Sequence, residues 1–166
     1  MATTQLVNEG LSRQRGQATA CVFAHTAGHD PIGEYVYHYL QCLQQIGCAT
    51  VFCSSAVQLR PEDLARLQAL CHQVVIGVPS GSVFHTYRAG LGALNADKDT
   101  RNKVVFTHDQ LYGPLNDLSP LLRFGDERDL DIWSASDGFA SGYYLHSDFL
   151  VMRAEALAHP SVREFW

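Results

Sequence analysis

The sequence predicts a three-layer α/β domain built on a doubly wound, mostly parallel but mixed sheet, and three observations predict it. Short continuous apolar runs, such as Ala20-Cys21-Val22-Phe23-Ala24, read as strands buried on both faces. Segments with apolar residues at three-and-four spacing alternate with these runs through the first four repeats, the signature of a doubly wound sheet. The last two strand candidates then follow each other across only a Gly/Ser-rich stretch, residues 136–142, and this makes the sheet mixed.

The elements follow in order. Residues 1–17 are polar and read as a flexible lead-in, leaving 18–166 as a single domain. The first strand covers 18–25. A turn-rich loop with two glycines and a proline leads to a helix over 31–45, whose Ile32, Tyr35, Val36, Tyr39, Leu40 and Leu43 share one face. Gly47 stops it. Residues 49–54 are the second strand. Pro61-Glu62-Asp63 opens the second helix, with a proline in the first turn and acids at the positive end of the dipole. Val74-Val75-Ile76 is the third strand, 82–94 the third helix, 95–102 a polar connector and 103–107 the fourth strand. A short helix over 118–124, strands over 131–135 and 143–153, and a helical stretch over 154–166 around Pro160 complete the chain. The apolar end, Phe165-Trp166, reads as a helix that continues beyond this sequence or docks its tryptophan.

Composition narrows the function classes. At 166 residues the chain is large enough for a full core, and 46% hydrophobic with 17% charged residues excludes disorder. A net charge of −5 without any Lys/Arg cluster argues against nucleic acid. No apolar run reaches the roughly 18 residues of a membrane span. Five cysteines, all between Cys21 and Cys71 and without a CxxC pair, read as buried thiols of a reducing compartment, hence a cytoplasmic protein.

The segment of greatest chemical interest is Lys103-Val104-Val105-Phe106-Thr107-His108-Asp109-Gln110-Leu111-Tyr112-Gly113-Pro114. A strand carries Asp109 to its C-terminal tip, and ligands of open α/β sheets bind outside the carboxyl ends of strands. There a carboxylate can hold a metal-bound phosphate or orient a substrate; it can equally cap the following turn. Loops 25–33, 79–86 and 108–114 converge on that same edge, with 134–145 as a fourth. Ser80-Gly81-Ser82 could present amides to an anion, yet it lacks the dinucleotide and P-loop spacings. None of the eight histidines shows metal-ligand spacing, and no Gly-x-Ser-x-Gly elbow marks a hydrolase. His38 and His72 read as structural or exposed. His25, His108 and His146 stand open between site and structure.

Four segments, in order, resemble the rhamnan synthesis protein F family, bacterial glycosyltransferase-like proteins of cell-surface polysaccharide assembly. They are Val22-Phe23-Ala24-His25 with Glu34 through Leu40; Gly81 through Arg88-Ala89-Gly90-Leu91; Phe106 through Pro114; and Tyr144-Leu145-His146-Ser147-Asp148-Phe149-Leu150-Val151 with the closing Phe165-Trp166. The resemblance implies a GT-A-like, Rossmann-type fold, a nucleotide-sugar donor, a glycan acceptor and a divalent Mg²⁺ or Mn²⁺. By the same resemblance Asp109 is the metal or diphosphate residue. His25, Gly81, Thr86, His108, Gln110 and His146 stand at donor-binding positions. Asp137 and Asp148 are the acceptor-side carboxylates, one of which deprotonates the acceptor hydroxyl. A cytoplasmic protein, peripheral to a membrane assembly, is the corresponding expectation.

The chain departs from the family pattern at four places. Val83 stands for an Asp, His85 for a Gly, His108-Asp109-Gln110 for Asn-Asp-Ser, and His146 for a Gln. Val83 cannot ligate anything. The expected activity is transfer of a sugar, rhamnose or another deoxyhexose among the candidates, to a surface polysaccharide. The alternative is a non-catalytic module that binds nucleotide-sugar or glycan, and a third reading is a generic doubly wound domain for another small ligand.

Overall fold

The computed structural model describes residues 5–9, 19–26, 31–79, 81–96 and 102–166. The strands are β1 (Gln5–Glu9), β2 (Thr19–His25), β3 (Cys48–Ser54), β4 (Gln73–Ile76), β5 (Lys103–His108), β6 (Ile132–Ser134), β7 (Asp137–Phe139), β8 (Tyr143–Leu145) and β9 (Phe149–Arg153). The helices are α1 (Glu34–Gln45), α2 (Pro61–Leu70), α3 (Val83–Ala96), α4 (Ser119–Glu127), α5 (Ala154–Ala158) and α6 (Pro160–Phe165).

Seven strands form the central sheet in the order β1-β4-β3-β2-β5-β9-β6, and β7-β8 form a separate ribbon. β4, β3, β2 and β5 run parallel, whereas β1 and β9 pair antiparallel with their neighbours. The mixed α/β sheet expected from the alternation is therefore present. Every residue of β2 and β3 is buried, as a parallel strand covered on both faces requires.

Side chains alternate between two apolar layers. Cys21, Phe23, Phe52 and Val105 meet Val36, Leu40 and Leu43 of α1, Leu67 of α2 and Leu122 of α4. Ala20, Val22, Val51, Val104 and Phe106 face the other way, onto α3 and the α5–α6 pair. At Gly90 an added Cβ would lie 2.3 Å from Val22 Cγ1, so α3 can approach the sheet only because that position is glycine.

Three features depart from the sequence reading. Gln5–Glu9, inside the expected lead-in, is an edge strand that pairs with β4, while residues 1–4 and 10–17 lie outside the described residues. The stretch 143–153 is two strands: β8 turns back on β7, with Tyr144 lying across Gly138, before β9 enters the main sheet. The end of the chain is two short helices, because His159, held at ψ 134° ahead of Pro160, cannot continue a helix.

Candidate functional site at the switch point of the sheet

The chain runs from β2 outward to β3 and β4, then returns to place β5 on the other side of β2. The crevice outside the carboxyl ends of β2 and β5 is thus the topological switch point, where open α/β sheets bind their ligands. Asp109 sits in it. Its backbone N–H donates to the Ala24 carbonyl at 3.0 Å, and its Oδ2 accepts from the Thr26 N–H at 3.0 Å. Its side chain therefore bridges the two strands across the switch point. Oδ1 is shielded from water and has no hydrogen-bond partner. A buried carboxylate oxygen left this way is destabilising unless a ligand, a cation or a proton compensates it.

Two histidines flank this carboxylate. His25 Nε2 lies 3.8 Å from Asp109 Oδ2, and its Nδ1 shares a 2.9 Å hydrogen bond with Ser54 Oγ at the end of β3. Ser54 Oγ also accepts from the Ala56 N–H at 3.1 Å, which fixes its position. On the other side, His108 Nδ1 accepts from the Gln110 N–H at 3.2 Å, so the ring's proton belongs on Nε2. Nε2 then donates to Asp148 Oδ1 at 3.2 Å. Asp148 is 40% exposed, which leaves its carboxylate accessible from solvent.

β9 brings Asp148 there. Its antiparallel register sets Phe149 opposite Thr107, and Asp148 immediately precedes it. Thr107 Oγ1 donates to the Asp148 carbonyl at 2.8 Å and accepts from the Tyr39 hydroxyl at 2.8 Å. Tyr87 of α3 donates to the Ser147 carbonyl at 2.9 Å. Burial pushes both phenols up from their ordinary value, so each remains a donor at neutral pH. The turn that carries Asp148 is therefore pinned from both layers.

The remaining sequence-predicted residues are placed as follows. Gln110 is exposed and contributes its backbone N–H. Gly81 and Thr86 lie at the start of α3, which follows β4 on the same edge, and Thr86 is buried. His85 stacks back toward Gly81, whose added Cβ would be 3.1 Å from His85 Nδ1, and Val83 occupies the first turn. His146 packs its ring against Tyr144 at 5.2 Å and accepts at its carbonyl from Ser134 Oγ. Asp137 is exposed on β7, and its carboxylate beside Tyr143 pushes that phenol up from its ordinary value. Among the described residues, no hydrogen bond, ion pair or ring contact joins Gly81, Thr86, His146 or Asp137 to the Asp109 cluster. Sequence reasoning missed Ser54, the Thr26 amide and Thr107. The Ser54-Ser55 pair that closes an apolar strand was the one signal available for Ser54.

Among the described residues no three His, Cys, Asp or Glu side chains converge as a metal cage. Mg²⁺, however, is commonly held by one or two carboxylates together with substrate phosphates. The unpartnered Oδ1 of Asp109 fits that arrangement. The donor set thus suits a cation shared with a bound diphosphate, and it does not suit a metal held by protein alone.

No family model matches the chain, and no curated protein matches it. Among solved structures, the fold is similar to that of a candidate nucleotide-diphospho-sugar transferase from Desulfovibrio desulfuricans G20, with a TM-score of 0.53 at 14% identity. The similarity covers 84% of this chain and 65% of that one, so this chain spans under two thirds of its neighbour's length. What the two share is the fold.

Proposed function

We propose that the chain is a glycosyltransferase-type domain that binds a nucleoside-diphosphate sugar at the β2–β5 switch point and transfers the sugar to a glycan hydroxyl. Asp109 carries this reading: a buried carboxylate with one unpartnered oxygen, at the ligand crevice of a fold similar to a candidate nucleotide-diphospho-sugar transferase. The four-segment resemblance to the rhamnan synthesis protein F family supports a deoxyhexose such as rhamnose as the sugar and a cell-surface polysaccharide as the acceptor. The same reading puts the protein in the cytoplasm, peripheral to a membrane assembly. Among the described residues no helix is long and apolar enough to cross a membrane.

In this mechanism Asp109 faces the diphosphate, and a divalent Mg²⁺ or Mn²⁺ bound with it would neutralise the leaving group. Asp148 accepts the proton of the acceptor hydroxyl as its oxygen bonds to the anomeric carbon and the bond from that carbon to the diphosphate breaks. His108 is a positioning residue: its Nε2–H orients one carboxylate oxygen of Asp148. The acceptor lies toward the β7–β8 ribbon, where Phe139 and Tyr143 expose rings suited to the flat face of a sugar and Asp137 offers hydroxyl acceptors.

Thermal unfolding with a panel of UDP-, GDP- and dTDP-sugars, with and without Mn²⁺, tests this. A donor at 100 times its dissociation constant should add about 2.7 kcal/mol of stability. Asp109→Ala should lose the Mn²⁺-dependent part. No shift with any donor overturns the reading. Binding without turnover by the same donors favours the non-catalytic module, in keeping with Val83 at a family Asp position.

A further inference from the structure

A second concavity lies on the α3 side of the sheet, between α3 and the α5–α6 pair, with a volume of about 530 Å³. That volume falls within the roughly 300–1,000 Å³ of small-molecule sites. Ala20, Val104, Leu91 and Leu157 give it an apolar floor. Ala20 and Val104 belong to the beginnings of β2 and β5, five residues before His25 and Asp109 respectively. At about 3.3 Å per residue this puts the cavity roughly 16 Å from the switch point. It is a separate place on the molecule.

Three observations bear on what would fill it. Gly92, in the middle of α3, lines the cavity, and an added Cβ there would meet nothing within 4 Å. Gly90, one half-turn earlier, is required by the close approach to Val22; no such contact requires Gly92, which disfavours the helix while leaving the wall open. Arg88 of α3 and Arg163 of α6 both line the cavity. Among the described residues neither has an acidic partner, whereas Arg60, Arg66 and Arg153 are each paired with a carboxylate. Trp166, stacked on Phe106 at 5.2 Å, also lines it, and its indole N–H is shielded from water without an acceptor.

We propose that this cavity binds a single-chain amphiphile with a phosphate head. The aliphatic chain lies on the apolar floor, through the opening left by Gly92. The phosphate takes the guanidinium groups of Arg88 and Arg163, whose planar forks match its oxygens. The Trp166 N–H supplies one further donor. Charge complementarity selects the head: two cations that lack an acidic partner line this cavity, in a protein whose net charge is −5. The acids on the neighbouring helices, Glu155 and Glu164, are exposed and do not line the cavity. The proposal is independent of the donor site.

Titration of the full chain with dodecyl phosphate, below its micelle concentration, tests it through tryptophan emission. Trp133 is buried on the opposite layer against Gly125, so a change reports Trp166. A saturable change is expected with dodecyl phosphate and none with inorganic phosphate or dodecyltrimethylammonium at equal concentration. Arg88→Ala/Arg163→Ala should weaken binding at least tenfold, and Gly92→Leu should abolish it by filling the opening. Both arginines are exposed, so the double variant decides the matter even where Gly92→Leu perturbs the fold. Absence of a saturable change, equal response to the cationic amphiphile, or unaltered affinity of the double arginine variant overturns the proposal.

Discussion

The two carboxylates nearest the switch point differ in surroundings, and this separates their work. Asp109 is buried with Oδ2 spent on the Thr26 amide, while Asp148 keeps a side chain 40% exposed and one hydrogen bond to His108. Asp148→Asn should therefore lower kcat by about 10²–10⁴-fold, the range for losing a general base, with donor affinity unchanged. Single-turnover kinetics beside calorimetric donor binding measure the two together; equal loss in both would make Asp148 a binding group. Asp109 was legible from its place at the end of an apolar run. Its partners were not, because Thr26 lies 83 residues from Asp109 and Ser54 lies 29 residues from the His25 it holds, and such pairings leave no local pattern.

Between elements, α1 and α2 are joined by a buried hydrogen bond to a charged group, beside the exposed Arg66–Glu34 ion pair. Tyr37 donates to Asp63 Oδ1 at 2.6 Å, while Arg60 Nε donates to Oδ2 at 2.8 Å. Those bonds, the Arg60 bond first, hold the Asp63 carboxyl below its ordinary value. The resulting stabilisation is present above the unfolded carboxyl value of about 3.9 and is lost as pH falls through the lower folded value. Tyr37→Phe should cost about 1.5–3 kcal/mol at pH 7, the range for a hydrogen bond to a charged group, and the deficit should shrink below about pH 3.9. Urea denaturation across pH measures it; a deficit that does not vary with pH would assign the effect to packing alone. Within α3, the two glycines should respond oppositely. Gly90→Ala drives a Cβ into Val22 and should cost about 1–3 kcal/mol. Gly92→Ala meets no atom and should add about 0.5–1 kcal/mol. The helix itself was evident from periodicity, but nothing in the spacing distinguishes a glycine pressed on a strand from one facing an opening.

For the whole molecule, the thiols report the integrity of the core. Cys21, Cys48, Cys53 and Cys71 are buried, and burial pushes the Cys48 and Cys53 thiols up to about 12. Cys42 is half-buried. In the native state a thiol reagent should label Cys42 alone, and in denaturant all five; mass spectrometry after a timed pulse counts them. Rapid native labelling of Cys21 or Cys53 would mean that the sheet opens locally.

What the sequence determined by itself was the succession of buried strands and amphipathic helices, and the delivery of Asp109 to a strand tip. Periodicity and turn residues act over a few neighbours, and that range suffices for elements. Tertiary structure alone decided the rest. It inserted β9 antiparallel beside β5, setting Asp148 against His108; it added Gln5–Glu9 to the edge; and it turned 137–145 into a ribbon beyond the sheet. Each of these is a pairing between segments distant along the chain, chosen by which arrangement buries both faces of the sheet and satisfies its backbone, and no local run of residues encodes that choice.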